Sequence, residues 1–316
     1  MATYNPQAKN PQAKNPQAQK SQTQTPQPFA STPLVDAAKP FHLPPEATFD
    51  TIGKYVILVG DPSRCAAVAT NLEDAVKLGV KREFEIWTGT RGGQKISVCS
   101  TGIGGPSTAI AVEELVGLGA HTFIRVGTCG GIDLDVRAGD AVIATGAIRA
   151  EGTTLEYSRL EFPAIPDFTV TRALADSAES LHRTTKAVIG TLDFSSAAAK
   201  FLEAAAALAF NYHLGVVQCK DSFYGQHSPG ASPVATDLLT KWENWKRMGA
   251  KASEMESAAL FIVGAARRVR TGAIFHVIWN QEREAAGLHG PENHDVDRVI
   301  KIAVDALDRL IAADHA

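Results

Sequence analysis

From Tyr55 onward the chain alternates short runs of apolar and β-branched residues with longer stretches whose apolar positions recur at helical spacing. The runs YVILVG, REFEIWTGT, QKISVCSTG, TFIRVG, DAVIATGAI, YHLGVVQ and AIFHVIW read as strands, with the second and third forming a hairpin-like pair. Helices are predicted from Pro62, from near Pro106, and over residues 171–181, 236–248, 256–269 and 295–311. Alternation of this kind predicts an α/β fold with a central mixed sheet flanked by helices. One stretch breaks the rhythm: SSAAAKFLEAAAALAF, residues 195–210, has high alanine helix propensity and no polar cluster, which predicts a peripheral packing helix.

The beginning of the chain is different in kind. NPQAK occurs twice in succession, at 5–9 and 10–14, and NPQAQ follows at 15–19. Pro, Gln and Lys with almost nothing apolar cannot offset the entropy of ordering, so residues 1–36 are expected to form a disordered tail, with a single folded domain over 37–316. This segment lacks the apolar stretch of a signal peptide, and the first arginine is Arg64, which argues against a mitochondrial presequence. A cytoplasmic location is the expectation.

Among 316 residues, 45% are hydrophobic and 21% charged, enough apolar material for a sizeable core. A formal net charge of -3 gives no general attraction to nucleic acid or to an anionic membrane, and no apolar run approaches the length of a spanning helix. Small molecules and copies of the same chain are therefore the expected partners. Cys65, Cys99, Cys129 and Cys219 are scattered without a CxxC pair, as suits small reduced core residues better than disulfides or a zinc site.

Four features stand at strand ends, where open α/β sheets hold ligands. VGDPSR, 59–64, is either an ordinary strand-to-helix turn with a surface arginine or an anion site at a helix N-terminus. STGIGGPSTAIAVEEL carries glycines at 102, 104 and 105 that let backbone approach a ligand, yet it is neither a Walker motif nor a dinucleotide fingerprint. RVGTCGG places Arg125 inside a run that reads as buried strand, and a guanidinium there requires a partner. Guanidinium groups and amides converging from separate strand ends match the tetrahedral oxygens of phosphate. Finally, in SEMESAALFIVGAA, Ser253 and Glu256 have capping-box spacing, so Glu256 either closes a helix start or faces, with Glu254, a pocket where carboxylates accept from sugar hydroxyls.

In combination these segments resemble the nucleoside phosphorylase family, and within it the uridine phosphorylases. GDPSR, REFEIW, CSTGIGGPSTAIAVEEL, RVGTCGGI, LEFPAIPDF, DSFYGQ and EMESAAL occur in the family's order over about residues 40–312. The resemblance implies a three-layer Rossmann-like α/β subunit. It implies a homo-oligomer, a hexamer built as a trimer of dimers with shared sites, and a pentosyl transfer in which uridine and phosphate give uracil and ribose 1-phosphate. Matching the family pattern residue by residue puts Gly60, Arg64, Arg125 and Thr128 around phosphate, with Arg82 contributed by a neighbouring subunit. Met255 and Glu256 match ribose-binding positions, and His42 matches a histidine that a partner lends to the ribose 5′-hydroxyl. Phe223 and Gln226 match the wall and the amide that hold the base. Glu83, Ile103 and Ser107 fall where some relatives hold a structural potassium ion between subunits. No cofactor is otherwise implied, phosphate being a co-substrate.

Two departures from the family pattern concern the leaving base. Where relatives place an arginine two residues after the glutamine, this chain reads Gln226-His227-Ser228, and Gln281 replaces a second base-site arginine in WNQER. His227, Gln281 and Arg283 are the expected substitutes as donors to the base. Purine-specific relatives carry an aspartate after VIW; Asn280 and Gln281 here favour a pyrimidine. The region 192–211 looks like an insertion relative to short bacterial members. A phosphorylase of another nucleoside, a nucleoside hydrolase and a non-catalytic nucleoside-binding protein remain the alternative readings.

Overall fold

The computed structural model describes residues 40–190 and 210–316. The expected tail and all but the last residues of the expected insertion lie outside the described residues.

β1 (Tyr55–Val59) is buried along its whole length. It runs parallel to β4 (Gln94–Ser100) on one side and to β5 (Thr122–Gly131) on the other. β3 (Phe84–Arg91) pairs antiparallel with β4, as the hairpin reading expects, and β2 (Glu73–Lys81) adds antiparallel to β3. β2 escapes the hydrophobic pattern because its sequence, EDAVKLGVK, mixes four charges with a glycine and shows no clean alternation.

On the other side the sheet closes on itself. β8 (Ala252–Glu254) pairs with the end of β5 and with β7 (Tyr212–Lys220), β7 pairs with β6 (Ala141–Ala150), and β6 pairs with β9 (Arg270–Asn280). β9 then returns to lie parallel to β5, completing a circuit of strands. Close approach there depends on glycine: a Cβ on Gly131 would sit 2.6 Å from the Asn280 side-chain nitrogen.

Side chains alternate across β1 and feed two separate cores, so the molecule has three layers. Tyr55, Ile57 and Val59 face a core shared with α1 (Ser63–Ala69), α3 (Phe168–Gly190) and α8 (Asp297–Asp314). Val56 and Leu58 face the opposite core, shared with α2 (Gly105–Gly117) and α6 (Ser257–Arg267). Shorter helices α4 (Phe223–His227) and α7 (Gln281–Ala285) follow β7 and β9, and α5 (Ala235–Arg247) lies on the surface. The mixed α/β architecture agrees with the sequence reading, although α3 extends well beyond the expected 171–181. All four cysteines are buried and free. Among the described residues, no helix is long and apolar enough to cross a membrane.

The end of α8 is tied to the sheet by Asp314, which accepts from Tyr55 Oη at 2.7 Å and Arg270 Nη2 at 2.5 Å. The Arg270 hydrogen bond foremost, helped by Tyr55, holds the Asp314 carboxyl down at about 2. A folded value below the ordinary 3.8 contributes stability above that pH, lost as pH falls towards 2. Asp314→Asn is expected to lower the melting temperature at neutral pH and to make melting less sensitive to acid in that window. Thermal melts of both proteins at stepped pH check this, and parallel profiles would count against it.

Candidate active site

Three neighbouring parallel strands, β4, β1 and β5, end on the same side of the sheet, and each ends in a turn with chemistry. β1 passes through Gly60 and Pro62 into the first turn of α1, which carries Arg64. β4 passes through Thr101 and Gly102 into Gly104, whose φ of 94° sets the start of α2. The first two turns are fastened together: Thr101 N–H donates to Val59 O at 2.8 Å and Gly102 N–H to Gly60 O at 2.9 Å. Arg125 stands in β5 opposite Leu58 of β1 and Ala273 of β9.

The partner that a buried guanidinium requires is supplied by the chain itself. Arg125 Nη2 donates to Glu256 Oε2 at 2.6 Å, and the residues are only 3% and 5% exposed. Glu256 Oε1 accepts from Gly104 N–H at 2.6 Å, which joins the glycine-rich turn to the same carboxylate. Arg125 Nη1 reaches Thr101 Oγ1 at 3.3 Å, while its Nε is buried with no partner. Burial, offset by Asp61, together with the like charge of Arg125 lowers the pKa of Arg64. Two guanidiniums this close, one with an unanswered donor, make a strongly anion-seeking corner.

Of the two readings left open for Glu256, this geometry decides against the capping box. Ser253 belongs to β8, and Glu256 sits at the cap position of α6 with its side chain turned to Arg125 and Gly104. Glu254 performs the capping, accepting from Glu256 N–H at 2.8 Å, Ser257 N–H at 3.0 Å and Ser257 Oγ at 2.5 Å. Burial and the neighbouring Glu256 raise the pKa of Glu254, against the pull of Arg125 and these donors.

Arg125, Glu256, Arg64, Gly60, Thr128 and Met255 all line one cavity of about 810 Å³, which continues to Phe223, Gln226 and His227 of α4. Phe223 and His227 lie against each other with ring centroids 4.3 Å apart. Desolvation and the nearby Lys220 lower the pKa of His227. Lys220, Ser253, Ile278 and Trp279 also line this space, none of them anticipated from the sequence. Lys220 lies at the end of β7 in CKDSFYGQ, so the strand-end signal was available there.

Other expected residues fall elsewhere. Gln281 does not line the cavity; its Oε1 accepts from Gln226 Nε2 at 3.1 Å, so it braces the amide. Arg283 donates to Leu134 O at 2.5 Å and lines a second cavity of about 520 Å³, so it is not a donor in the first. Arg82, exposed at a φ of 55° between β2 and β3, lies outside this first cavity. So does His42, whose Nδ1 is 2.7 Å from Glu114 Oε1. Ile103 lines the cavity mouth at 78% exposure, while Ser107 donates to its carbonyl at 3.2 Å. Glu83 lies on the other side of Gly102, where an added Cβ would be 3.0 Å from the Glu83 Cβ and 3.8 Å from Ser107 Oγ. One carboxylate, a hydroxyl and a backbone oxygen are hard donors suited to a monovalent cation only if a second copy completes the shell. Among the described residues there is no group of three or more His, Cys, Asp or Glu placed to hold a metal.

A sequence model of the phosphorylase superfamily matches residues 54–313. The chain belongs to that superfamily. Phosphorylases similar to it include the uridine phosphorylase of Treponema pallidum (strain Nichols), 51% identical over 263 residues, spanning 83% of this chain and 92% of that one. The uridine phosphorylases of Klebsiella aerogenes and Escherichia coli (strain K12) are each 36% identical over 262 residues, spanning 81% of this chain and 91% of theirs. The match to this phosphorylase superfamily takes in every strand among the described residues and all the cavity-lining residues named above.

Proposed function

We propose that this phosphorylase cleaves uridine with inorganic phosphate, giving uracil and ribose 1-phosphate in pyrimidine nucleoside salvage and catabolism. The observation that carries the reading is the buried Arg125–Glu256 pair at the centre of a single cavity, with Arg64 to one side and Phe223 and Gln226 to the other. Hydrogenphosphate is a weak nucleophile, so catalysis rests on holding it beneath C1′ while the glycosidic bond loosens and ribose gains oxocarbenium character. Arg64, Arg125, Thr128 and the Gly60 backbone hold the phosphate, Glu256 and Met255 the ribose, and Phe223 and Gln226 the base. Each new ligand takes over part of the pairing that Arg125 and Glu256 make with each other.

The reaction so described is a pentosyl transfer that needs no cofactor beyond phosphate. The working unit is a cytoplasmic homo-oligomer, a trimer of dimers, in which His42 and Arg82 reach a neighbour's cavity; a potassium ion at Glu83, Ile103 and Ser107 would serve to join copies. Support for shared sites comes from the exposure of Phe41 at 74% and of Ile103 beside these residues, apolar surface that a second copy would cover.

Uridine absorbance with and without phosphate tests the activity. Uracil release that requires phosphate is expected; release without phosphate would mark a hydrolase, and binding without turnover would mark a nucleoside carrier. Arg82→Ala and Arg125→Met subunits mixed in one oligomer should regain turnover that neither has alone, and absence of rescue would rule out cross-subunit donation.

A further inference from the structure

Two carboxylates stand side by side in α2, and their surroundings differ. Glu113 is answered by Arg267, whose Nε and Nη2 donate to its two oxygens at 2.6 Å and 2.8 Å. Glu114, 3% exposed, pairs with no lysine or arginine among the described residues; its partners are two consecutive residues 72 and 71 positions earlier. His42 N–H donates to Oε1 and Oε2, both at 2.9 Å, Leu43 N–H donates to Oε2 at 2.9 Å, and His42 Nδ1 lies 2.7 Å from Oε1. A buried carboxylate is costly unless its lone pairs are answered, and here one short stretch of chain answers them.

An ionised carboxylate only accepts, so in this contact the proton of a neutral imidazole sits on Nδ1 and Nε2 is left as an acceptor. The His42 side chain is 29% exposed against 3% for Glu114, so the ring leads from a buried anchor to the surface. The same stretch is held at a second point: Lys81 Nζ donates to Phe41 O at 2.6 Å, and Lys81 directly precedes Arg82. A third hold is packing, since a Cβ added to Gly79 of β2 would come within 2.8 Å of Glu46 Oε2 and 3.0 Å of Pro44 Cβ. His42 and Arg82, the two residues expected to be lent to a neighbour, are thereby fastened together.

We propose that Glu114 is the positioning residue of this lent pair, fixing the His42 tautomer and aiming Nε2 to accept a hydrogen bond from the 5′-hydroxyl of the nucleoside in a neighbour's cavity. The inference rests on the uridine-cleaving, shared-site reading above. Glu114 itself touches no substrate. It acts through His42, and its replacement frees the imidazole to turn and to move its proton between nitrogens. The sugar end of the nucleoside then loses an anchor, and ribose is held less firmly over phosphate. A glutamine at this position keeps an acceptor for the backbone amides, but its NH2 can donate to Nδ1, which turns Nε2 from acceptor into donor.

The test compares wild type, Glu114→Gln, Glu114→Ala and His42→Ala on uridine and on 5′-deoxyuridine, which lacks the hydroxyl in question. The ratio of kcat/KM for uridine to that for 5′-deoxyuridine should fall about tenfold in His42→Ala, the scale of one hydrogen bond, and several-fold in both Glu114 variants through the uridine KM. Adding Glu114→Gln to His42→Ala should lower the ratio no further. Equal losses on both nucleosides in the Glu114 variants, or an unchanged ratio, would mark a residue that only fastens the chain and would overturn the proposal. If thermal melting shows that the alanine variant does not fold, Glu114→Gln, which keeps the side chain's shape, carries the same comparison. An unchanged ratio in His42→Ala would instead overturn the shared-site reading, and wild-type protein that releases no uracil would overturn the uridine reading.

Discussion

Arg125→Met is expected to be the most damaging single replacement, removing phosphate-dependent turnover by at least about a hundredfold and destabilising the fold by about 3–5 kcal/mol. Both effects follow from one contact. Arg125 and Glu256 are buried and 2.6 Å apart, so removing the guanidinium leaves a carboxylate held only by the Gly104 amide at that end. The converse, Glu256→Met, strands a guanidinium whose Nε already has no partner. Replacing both with methionine should therefore restore much of the stability lost in either single variant while turnover stays absent. Urea unfolding of the three variants gives the coupling directly. Additive losses would show that the pair is not the unit described here.

Glu254→Ala is expected to have the next largest effect, although the residue need not touch a substrate. Its carboxylate gathers the Glu256 and Ser257 amides and the Ser257 hydroxyl, which fixes the turn carrying Met255 and Glu256 into the cavity. Without it, α6 loses its cap and buried donors lose their acceptor, at about 2 kcal/mol or more in stability. Turnover should fall with it, because Glu256 is no longer aimed at Arg125. Glu254→Gln retains one acceptor oxygen and should lie between the two. Thermal melts paired with uracil release check this, and an alanine variant as stable as wild type would return the capping role to another group.

Much of this was legible in the sequence because strong signals were local. Arg125 inside an apolar run, glycines at 102, 104 and 105, and Arg64 in the first turn of a helix each announced a strand end, and the sheet brings those ends together. What escaped depended on contacts distant in sequence. β8 has only three residues and exists through pairing with β5 and β7, so no pattern within it could be seen. Ser253 and Glu256 had the spacing of a capping box, but a lone spacing cannot tell which of two nearby carboxylates turns inward; Arg125 decided that. Arg283 was expected at the base site, and Lys220 at the end of β7 was not anticipated, for a similar reason. Lys220 closes one strand and Arg283 follows another, and the closing of β9 against β5 and β6 places Arg283 at the second cavity while Lys220 lines the first.

The circuit of β5, β8, β7, β6 and β9 also bears on how the protein survives in a crowded solution. Strands joined in a ring expose no ladder for another chain to extend, so the outer edge of β2 is the open margin of the sheet among the described residues. That margin is irregular: its pairing with β3 slips at two points, Asp74 holds a φ of 50°, and Lys77 and Lys81 sit along it. A bulged, charged border is a poor template for cross-molecule strand addition, which protects the folded chain from amyloid-like growth.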